Sequence, residues 1–124
     1  ARMVHGLGCE VLALDPVPSA DLDGVATYVD RDALFAASDV VSLHCPLTPE
    51  TYHLVDEAAL RRMKPGVTLI NTSRGQLVDT PAVVEALKEA GSGGWVWTST
   101  RRRATCSSRT SRTASFATTS FRAS

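Results

Sequence analysis

The sequence predicts an α/β fold built on a parallel sheet with helices on its faces. Three short apolar runs carry that expectation: CEVLALD (9–15), DVVSLHC (39–45) and VTLIN (67–71). Each suits a strand of a buried parallel sheet, where hydrophobic residues run nearly continuously rather than alternating. Helical segments with recognisable starts separate and follow the runs. Strand alternating with helix at this spacing is the pattern of a parallel sheet.

In chain order, CEVLALD is the first main strand. PVPSADLDG (16–24) is a loop by its Pro, Gly and Asp content, and ATYV (26–29) is a short edge strand. Asp30 is placed to cap the helix RDALFAAS, whose Ala33, Leu34 and Ala37 fall on one face. DVVSLHC is the second main strand, ended by Pro46. TPETYHLVDEAALRRM holds two short helical pieces, one capped by Thr48 with Pro49 at its first position, the other capped by Asp56. KPG (64–66) stops the second piece, and VTLIN is the third main strand. Thr80 and Pro81 start the helix PAVVEALKEA, and Gly91 ends it.

The 124 residues suffice for one domain with a modest core. No run is long enough to span a bilayer, and the N-terminus has no secretory pattern, so no membrane partner is expected. Cys9, Cys45 and Cys106 lie far apart, with no CxxC and no Cys/His cluster. Neither a metal site nor a disulfide framework is suggested, and reduced thiols fit a cytoplasmic protein. The first residue is Ala, which suits a fragment boundary. The zero net charge hides a split: all 13 acidic residues lie in 1–94, whereas 95–124 holds six Arg and no acid. A break this sharp divides the chain near Gly93-Gly94. Residues 95–124 have too few large apolar side chains to offset chain entropy and are expected to be disordered.

Ligands of open α/β sheets bind beyond the carboxyl ends of the strands, and three strand ends here carry suitable groups. Asp15 ends the first. An acid there can accept hydrogen bonds from an adenosine ribose and repel a 2′-phosphate, favouring NAD over NADP; a loop or cap acid is the plainer alternative. The second end is HCPLT (44–48), where proline turns the chain and leaves carbonyls open. A simple strand-ending turn explains it equally well, and His44 suits packing better than catalysis. The third is NTSRG (71–75). Thr72 and Ser73 can donate to a phosphate or ribose, Arg74 offers a planar fork for a carboxylate, and Gly75 permits a tight turn. A surface salt bridge is the alternative for Arg74.

Three strings, DVVSLHCPLTPETYHLVD, MKPGVTLINTSRGQLVDT and HGLGCEVLALDPVP, resemble the D-isomer-specific 2-hydroxyacid dehydrogenases, above all their D-lactate dehydrogenase branch. The likeness runs from residue 1 to about 94. It implies an NAD-binding domain of Rossmann type, a doubly wound parallel sheet. It also implies an enzyme acting on a small 2-oxo or 2-hydroxy acid and a homodimer for the intact protein. By this resemblance Asp15 holds the adenosine ribose, Cys45 and Pro46 line the adenine and nicotinamide side, and Thr51 lies near the cofactor. Thr72, Ser73 and Arg74 flank the nicotinamide ribose, and Arg74 also grips the substrate carboxylate as the catalytic residue of this stretch. The departures are clear too. The family's first strand and its G-x-G-x-x-G turn belong just before Ala1, so the expectation is a partial Rossmann fold without them. ARMVHGLG resembles the end of the helix after that turn. The family's strand GLGLDVYE, and the Glu and His acid/base beyond it, are missing from 95–124.

That missing strand can be found by shifting the reading frame. Trp has the single codon TGG and Val begins GT, so one base earlier Trp95-Val96 must contain GGT, glycine. Trp97-Thr98 must likewise contain GAC, aspartate. Each tryptophan's TG, with the base before it, reads Leu, Val or Met. The forced pattern is apolar-Gly-apolar-Asp, as in the family's LGLD. Residues from about 95 are therefore expected to be a frameshift product, leaving the chain inactive as it stands. Two other readings are a non-enzymatic regulator on the same fold and a Ser/Arg-rich arm that binds nucleic acid by neutralising phosphates. The frame coincidence speaks against the arm, so nucleic acid is not the expected partner.

Overall fold

Val11, Leu12 and Ala13 are buried one after another in β1 (Glu10–Leu14), and Val41, Ser42 and Leu43 likewise in β3 (Val40–Leu43). Successive side chains of a strand point to opposite faces, so consecutive burial means that both faces are covered. These strands belong to the computed structural model of the chain, which describes residues 1–89, 96–99 and 118–122, the last two segments as backbone only. The other elements are α1 (Arg2–Gly6), β2 (Thr27–Tyr28), α2 (Arg31–Ala37), α3 (Glu57–Arg62), β4 (Thr68–Asn71), α4 (Thr80–Glu89), β5 (Val96–Ser99) and β6 (Thr118–Arg122).

The strands form one sheet in the order β2-β1-β6-β3-β4-β5. β1 pairs in parallel with β2, β3 with β4, and β4 with β5, in registers that include Leu12 opposite Thr27, Val41 opposite Leu69 and Leu69 opposite Trp97. β6 runs antiparallel to both its neighbours. The α/β class, the parallel sheet and the three main strands follow the expectation from sequence.

Helices α2 and α3 form where their caps predict. The Asp30 carboxylate accepts from the Ala33 amide at 2.8 Å and the Asp56 carboxylate from the Ala59 amide at 2.8 Å, each satisfying an orphan donor of a first turn. At the far end of α2 the Ser38 hydroxyl donates back to the Leu34 carbonyl. Leu34 and Phe35 of α2, Ala59 and Leu60 of α3 and Val83 of α4 enter one core with Val41, Leu43, Val67 and Leu69 of the sheet region. Burying each of the larger side chains is worth about 1.5–3 kcal/mol. By contrast the surface pairs Arg62–Asp32 (3.3 Å) and Lys64–Asp39 (2.8 Å) are half exposed and contribute little.

Two local expectations need correction. The segment after Thr48 is a turn, not a helix. The Thr51 and Tyr52 amides both reach the Thr48 carbonyl, but the Thr51 hydroxyl takes over the next bonds, accepting from the Thr48 amide at 2.7 Å and donating to the Pro46 carbonyl at 2.8 Å. Such local side-chain bonds compete with a helical ladder. The cap of α4 is Asp79, one residue earlier than expected: its carboxylate accepts from Ala82 and its carbonyl from Val83. Gly91, the expected stop, lies outside the described residues.

A larger difference concerns the end of the chain. The sequence predicts disorder for 95–124 and a partial Rossmann sheet without its first strand. Instead 96–99 and 118–122 are strands, and β6 fills the space between β1 and β3. The reason is backbone accounting. Two strand edges one strand apart present rows of N–H and C=O groups that must be paired. Any segment able to extend can meet that need, whatever its side chains. The remainder of 95–124 lies outside the described residues.

Candidate functional site

Because β1, β3 and β4 are mutually parallel, their carboxyl ends open on one edge of the sheet. That edge gathers Asp15, the 44–48 segment and the 71–75 segment. β6 enters between them from the same edge, with Thr118 opposite both Leu14 and Leu43.

The 71–75 turn is built around a residue that the sequence reading passed over as mere strand end. Asn71 is 2% exposed, its side chain trapped at the end of β4. Its Nδ2 donates to the Arg74 carbonyl at 2.8 Å, and its Oδ1 accepts from the Ser73 amide at 3.0 Å. This self-bonding, characteristic of Asn in turns, closes the chain into a loop that lifts Arg74 outward. The Arg74 side chain is exposed, and its only recorded bond within the described residues is a long one, 3.4 Å, to the Ser73 carbonyl. A guanidinium carries five donors, so most of this fork is open to a ligand. Thr72 is exposed beside it.

Ser73 and Thr51 do structural duty. The Ser73 hydroxyl donates to the Cys45 carbonyl at 2.6 Å, fastening the end of β4 to the end of β3. Thr51 is buried and fastens the turn after β3 through Thr48 and Pro46. The Cys45 side chain, 1% exposed, packs in the core, so this residue meets the strand mouth through its backbone. Burial pushes its thiol pKa up, only partly opposed by a backbone hydrogen bond. At the surface, the Thr48 hydroxyl hydrogen-bonds Glu50 and lowers the pKa of that carboxyl.

His53 is a second residue the pattern did not flag. It sits at φ 51°, rare for a non-glycine residue, and its amide donates to the Gln76 carbonyl at 2.9 Å. Val55 then bonds the Leu77 carbonyl and Asp79 bonds the Val55 carbonyl, so the loops after β3 and β4 zip together. The His53 ring stacks on Tyr52 and lies 3.6 Å from the Asp79 carboxylate. His44 stands at the end of β3 and shares a 2.8 Å hydrogen bond with the Ser42 hydroxyl. Asp15, half-buried, uses Oδ1 to accept from the Val17 amide at 2.9 Å; no partner for Oδ2 is recorded among the described residues.

The groups left open fit a dinucleotide of the NAD type: a carboxylate oxygen at the end of β1 for ribose hydroxyls, an exposed hydroxyl at Thr72, and a cation at Arg74. Among the described residues no turn leads from the central strand position into a helix. The sequence-predicted residues Asp15, Cys45, Pro46, Thr51, Thr72, Ser73 and Arg74 all lie on or behind this edge. A cavity of about 980 Å³ lies elsewhere, in a groove between α3 and α4 whose lining includes Leu60, Met63 and Val84. No group of three or more His, Cys, Asp or Glu that could hold a metal occurs among the described residues. No helix among them is long and apolar enough to cross a membrane.

A parallel sheet with its open cation and acid at the carboxyl edge defines a nucleotide-binding α/β domain. Comparison with known proteins makes this specific. Residues 1–98 match the family described as D-isomer specific 2-hydroxyacid dehydrogenase, NAD binding domain, and the chain belongs to that family. D-lactate dehydrogenase of Escherichia coli (strain K12) is 57% identical over 88 residues, covering 70% of this chain and 27% of that protein. Glyoxylate reductase of Thermococcus litoralis is 45% identical over 98 residues, 77% of this chain and 28% of that protein. Among solved structures, apo D-lactate dehydrogenase from Escherichia coli superposes with a TM-score of 0.71 at 52% identity, over 77% of this chain and 31% of that one. D-lactate dehydrogenase from Aquifex aeolicus, complexed with NAD and lactic acid, gives 0.65 at 41% identity, over 69% and 26%. The family resemblance, the Rossmann-type fold and the NAD-binding character drawn from sequence are thus borne out. The chain spans a little over a quarter of the length of the curated relatives it matches.

Proposed function

We propose that the chain is the NAD-binding portion of a dehydrogenase of D-2-hydroxy acids, with D-lactate and pyruvate the preferred pair. The observation that carries this reading is the exposed Arg74 fork, held out at the end of β4 by a buried asparagine and fastened to the end of β3. Bound NAD supplies hydride exchange with the 2-carbon of the acid. Asp15 accepts from the adenosine ribose hydroxyls. Cys45 and Pro46 form a wall through their backbone, which Thr51 and Ser73 keep in place. Thr72 donates at the nicotinamide ribose. Arg74 binds the substrate carboxylate in a two-pronged grip and polarises the carbonyl to be reduced. On the same reading the proton is exchanged by a histidine of the intact protein, which works as a homodimer in the cytoplasm.

The frame change belongs to this proposal. β5 lies parallel beside β4, where the sixth strand of a Rossmann sheet runs, and the family match reaches residue 98. Both support reading 95–98 as the displaced counterpart of apolar-Gly-apolar-Asp.

The test is Arg74→Lys in a frame-restored, full-length protein. Lysine keeps the charge but loses the fork. A charge-assisted hydrogen bond is worth about 1.5–3 kcal/mol, so kcat/KM for pyruvate should fall on the order of 10- to 100-fold. A variant with wild-type kcat/KM would sink the assignment of Arg74.

A further inference from the structure

Arg74 is held from two sides, and only one of them lies next to it in sequence. Upstream, the Asn71 side chain ties the Arg74 carbonyl and the Ser73 hydroxyl ties the Cys45 carbonyl, so 71–73 is fixed to the ends of β4 and β3. Downstream, the same Arg74 carbonyl accepts from the Leu77 amide at 3.1 Å and the Gly75 carbonyl from the Val78 amide at 3.0 Å, which makes 75–77 one tight turn. That turn has no side-chain cap. What holds it is the other loop. The Gln76 carbonyl accepts from the His53 amide at 2.9 Å, the Leu77 carbonyl from Val55 at 3.0 Å and the Val55 carbonyl from Asp79 at 2.9 Å. Val55, Leu77 and Val78 are buried, so this zipper is anchored in the core. Its first bond comes from His53, the one non-glycine residue with positive φ among the described residues.

We infer that His53 is a positioning residue for Arg74: its left-handed backbone aims the loop after β3 at Gln76 and so splints the turn that presents the guanidinium. The reason is geometric. Up to Tyr52 the loop is a turn, with the Thr51 and Tyr52 amides both on the Thr48 carbonyl. Past Leu54 it is extended, with Val55 in a parallel bridge to Val78. One residue at φ 51° redirects the chain between the two, as a left-handed residue does at a helix end. That conformation is costly for any residue but glycine, less so for Asn, Asp and His and most for β-branched side chains. An outlier that its surroundings keep in place points to function. The ring offsets part of the cost. It stacks on Tyr52 with centroids 4.0 Å apart, and its Nδ1 lies 3.6 Å from Asp79 Oδ2, while Asp79 Oδ1 accepts from the Ala82 amide at the start of α4. The ring supports the backbone, and the backbone does the positioning. The kinetic consequence rests on the reading of Arg74 as the carboxylate fork; the coupling between the two loops does not.

Two variants separate backbone from ring. His53→Gly removes the ring but takes positive φ freely, whereas His53→Val resists it. In the 124-residue chain, hydrogen exchange of the Val55 and Asp79 amides reports the zipper, and that of the Leu77 amide reports the Arg74 carbonyl. His53→Val should speed all three about tenfold while the amides of β3 and β4 stay unchanged, and His53→Gly should remain within about threefold of wild type. In the frame-restored, full-length protein, His53→Val should lower kcat/KM for pyruvate about tenfold and leave the Kd of NADH within about twofold, because 71–73 is held from upstream; His53→Gly should recover the loss. Leu77 exchange unchanged in His53→Val, equal damage by glycine and valine, or a loss of NADH affinity as large as the loss for pyruvate would each overturn the inference. Arg74→Lys in the same protein keeps the two readings apart. If it is impaired and His53→Val is not, the functional reading stands and this inference fails. If it keeps wild-type kcat/KM, the functional reading fails, and the exchange of Leu77 alone decides the inference.

Discussion

Replacing Asn71 by leucine tests the claim that one buried amide organises the strand mouth. The two side chains share a four-atom skeleton branched at Cγ, and leucine is the larger, so no cavity is opened. What is lost is the donor to the Arg74 carbonyl at 2.8 Å and the acceptor for the Ser73 amide at 3.0 Å. Each such bond has a net worth of about 0.5–1.5 kcal/mol, and a buried group left without a partner costs about 1–3 kcal/mol. Arg74 is exposed, so water can replace the lost donor there; Ser73 is half-buried, so its amide is only partly rescued. The sum is about 2–3 kcal/mol. For a folded unit of this size each kcal/mol moves Tm by roughly 4–8 °C, so a fall of roughly 10–20 °C is expected. Circular dichroism melts of wild type and variant at pH 7 measure it. Asn71→Asp sharpens the test. Its carboxylate still accepts from Ser73 but faces the Arg74 carbonyl with no proton to donate. Burial and that carbonyl raise the folded pKa of the new acid above the unfolded value near 4. The sign follows from linkage: the folded state binds the proton more tightly, so the stability deficit of Asn71→Asp should shrink as pH falls through the raised folded pKa. A leucine variant melting within about 2 °C of wild type, or an aspartate variant whose deficit is the same at pH 7 and pH 4, would refute the account.

Two other outcomes follow from the same structure. The Cys45 thiol has a raised pKa, chiefly from burial, so alkylation by iodoacetamide at pH 8 should be far slower in the native chain than in urea. A raised folded pKa stabilises the protein below the unfolded thiol value of about 8.5 and loses that contribution as pH rises, and wild type should lose more stability than Cys45→Ala between pH 8 and 10, as urea melts would reveal. The 124-residue chain should show no oxidation of NADH with pyruvate, since absence of a general acid/base alone typically removes about 10²–10⁴ in rate; measurable turnover by the purified chain would contradict that expectation.

Much of this protein was legible in its residues because the signals were local. Consecutive apolar residues in CEVLALD and DVVSLHC can only be covered on both faces, which implies a parallel sheet with helices around it, and the helices start at Asp30 and Asp56 because those carboxylates satisfy amides three residues ahead. For Arg74 the residues left a ligand fork and a surface salt bridge equally open, and only the fold shows its side chain exposed with a single long bond to the Ser73 carbonyl among the described residues. The residues that hold it in place were not legible. Asn71 looked like the last residue of a strand, and only folding showed its amide turned back on Ser73 and Arg74. Ser73 reads as a ligand donor until its hydroxyl is found on the Cys45 carbonyl, a contact between residues 28 positions apart. His53 and Gln76 met because two loops pair, which no local pattern records. The centre of the sheet shows the same division most clearly. A Thr/Ser segment near the chain end carries no strand signal of its own, and composition assigned it no structure. Its place in β6 is decided by β1 and β3, two strands far away in sequence whose facing rows of backbone donors and acceptors need a strand between them.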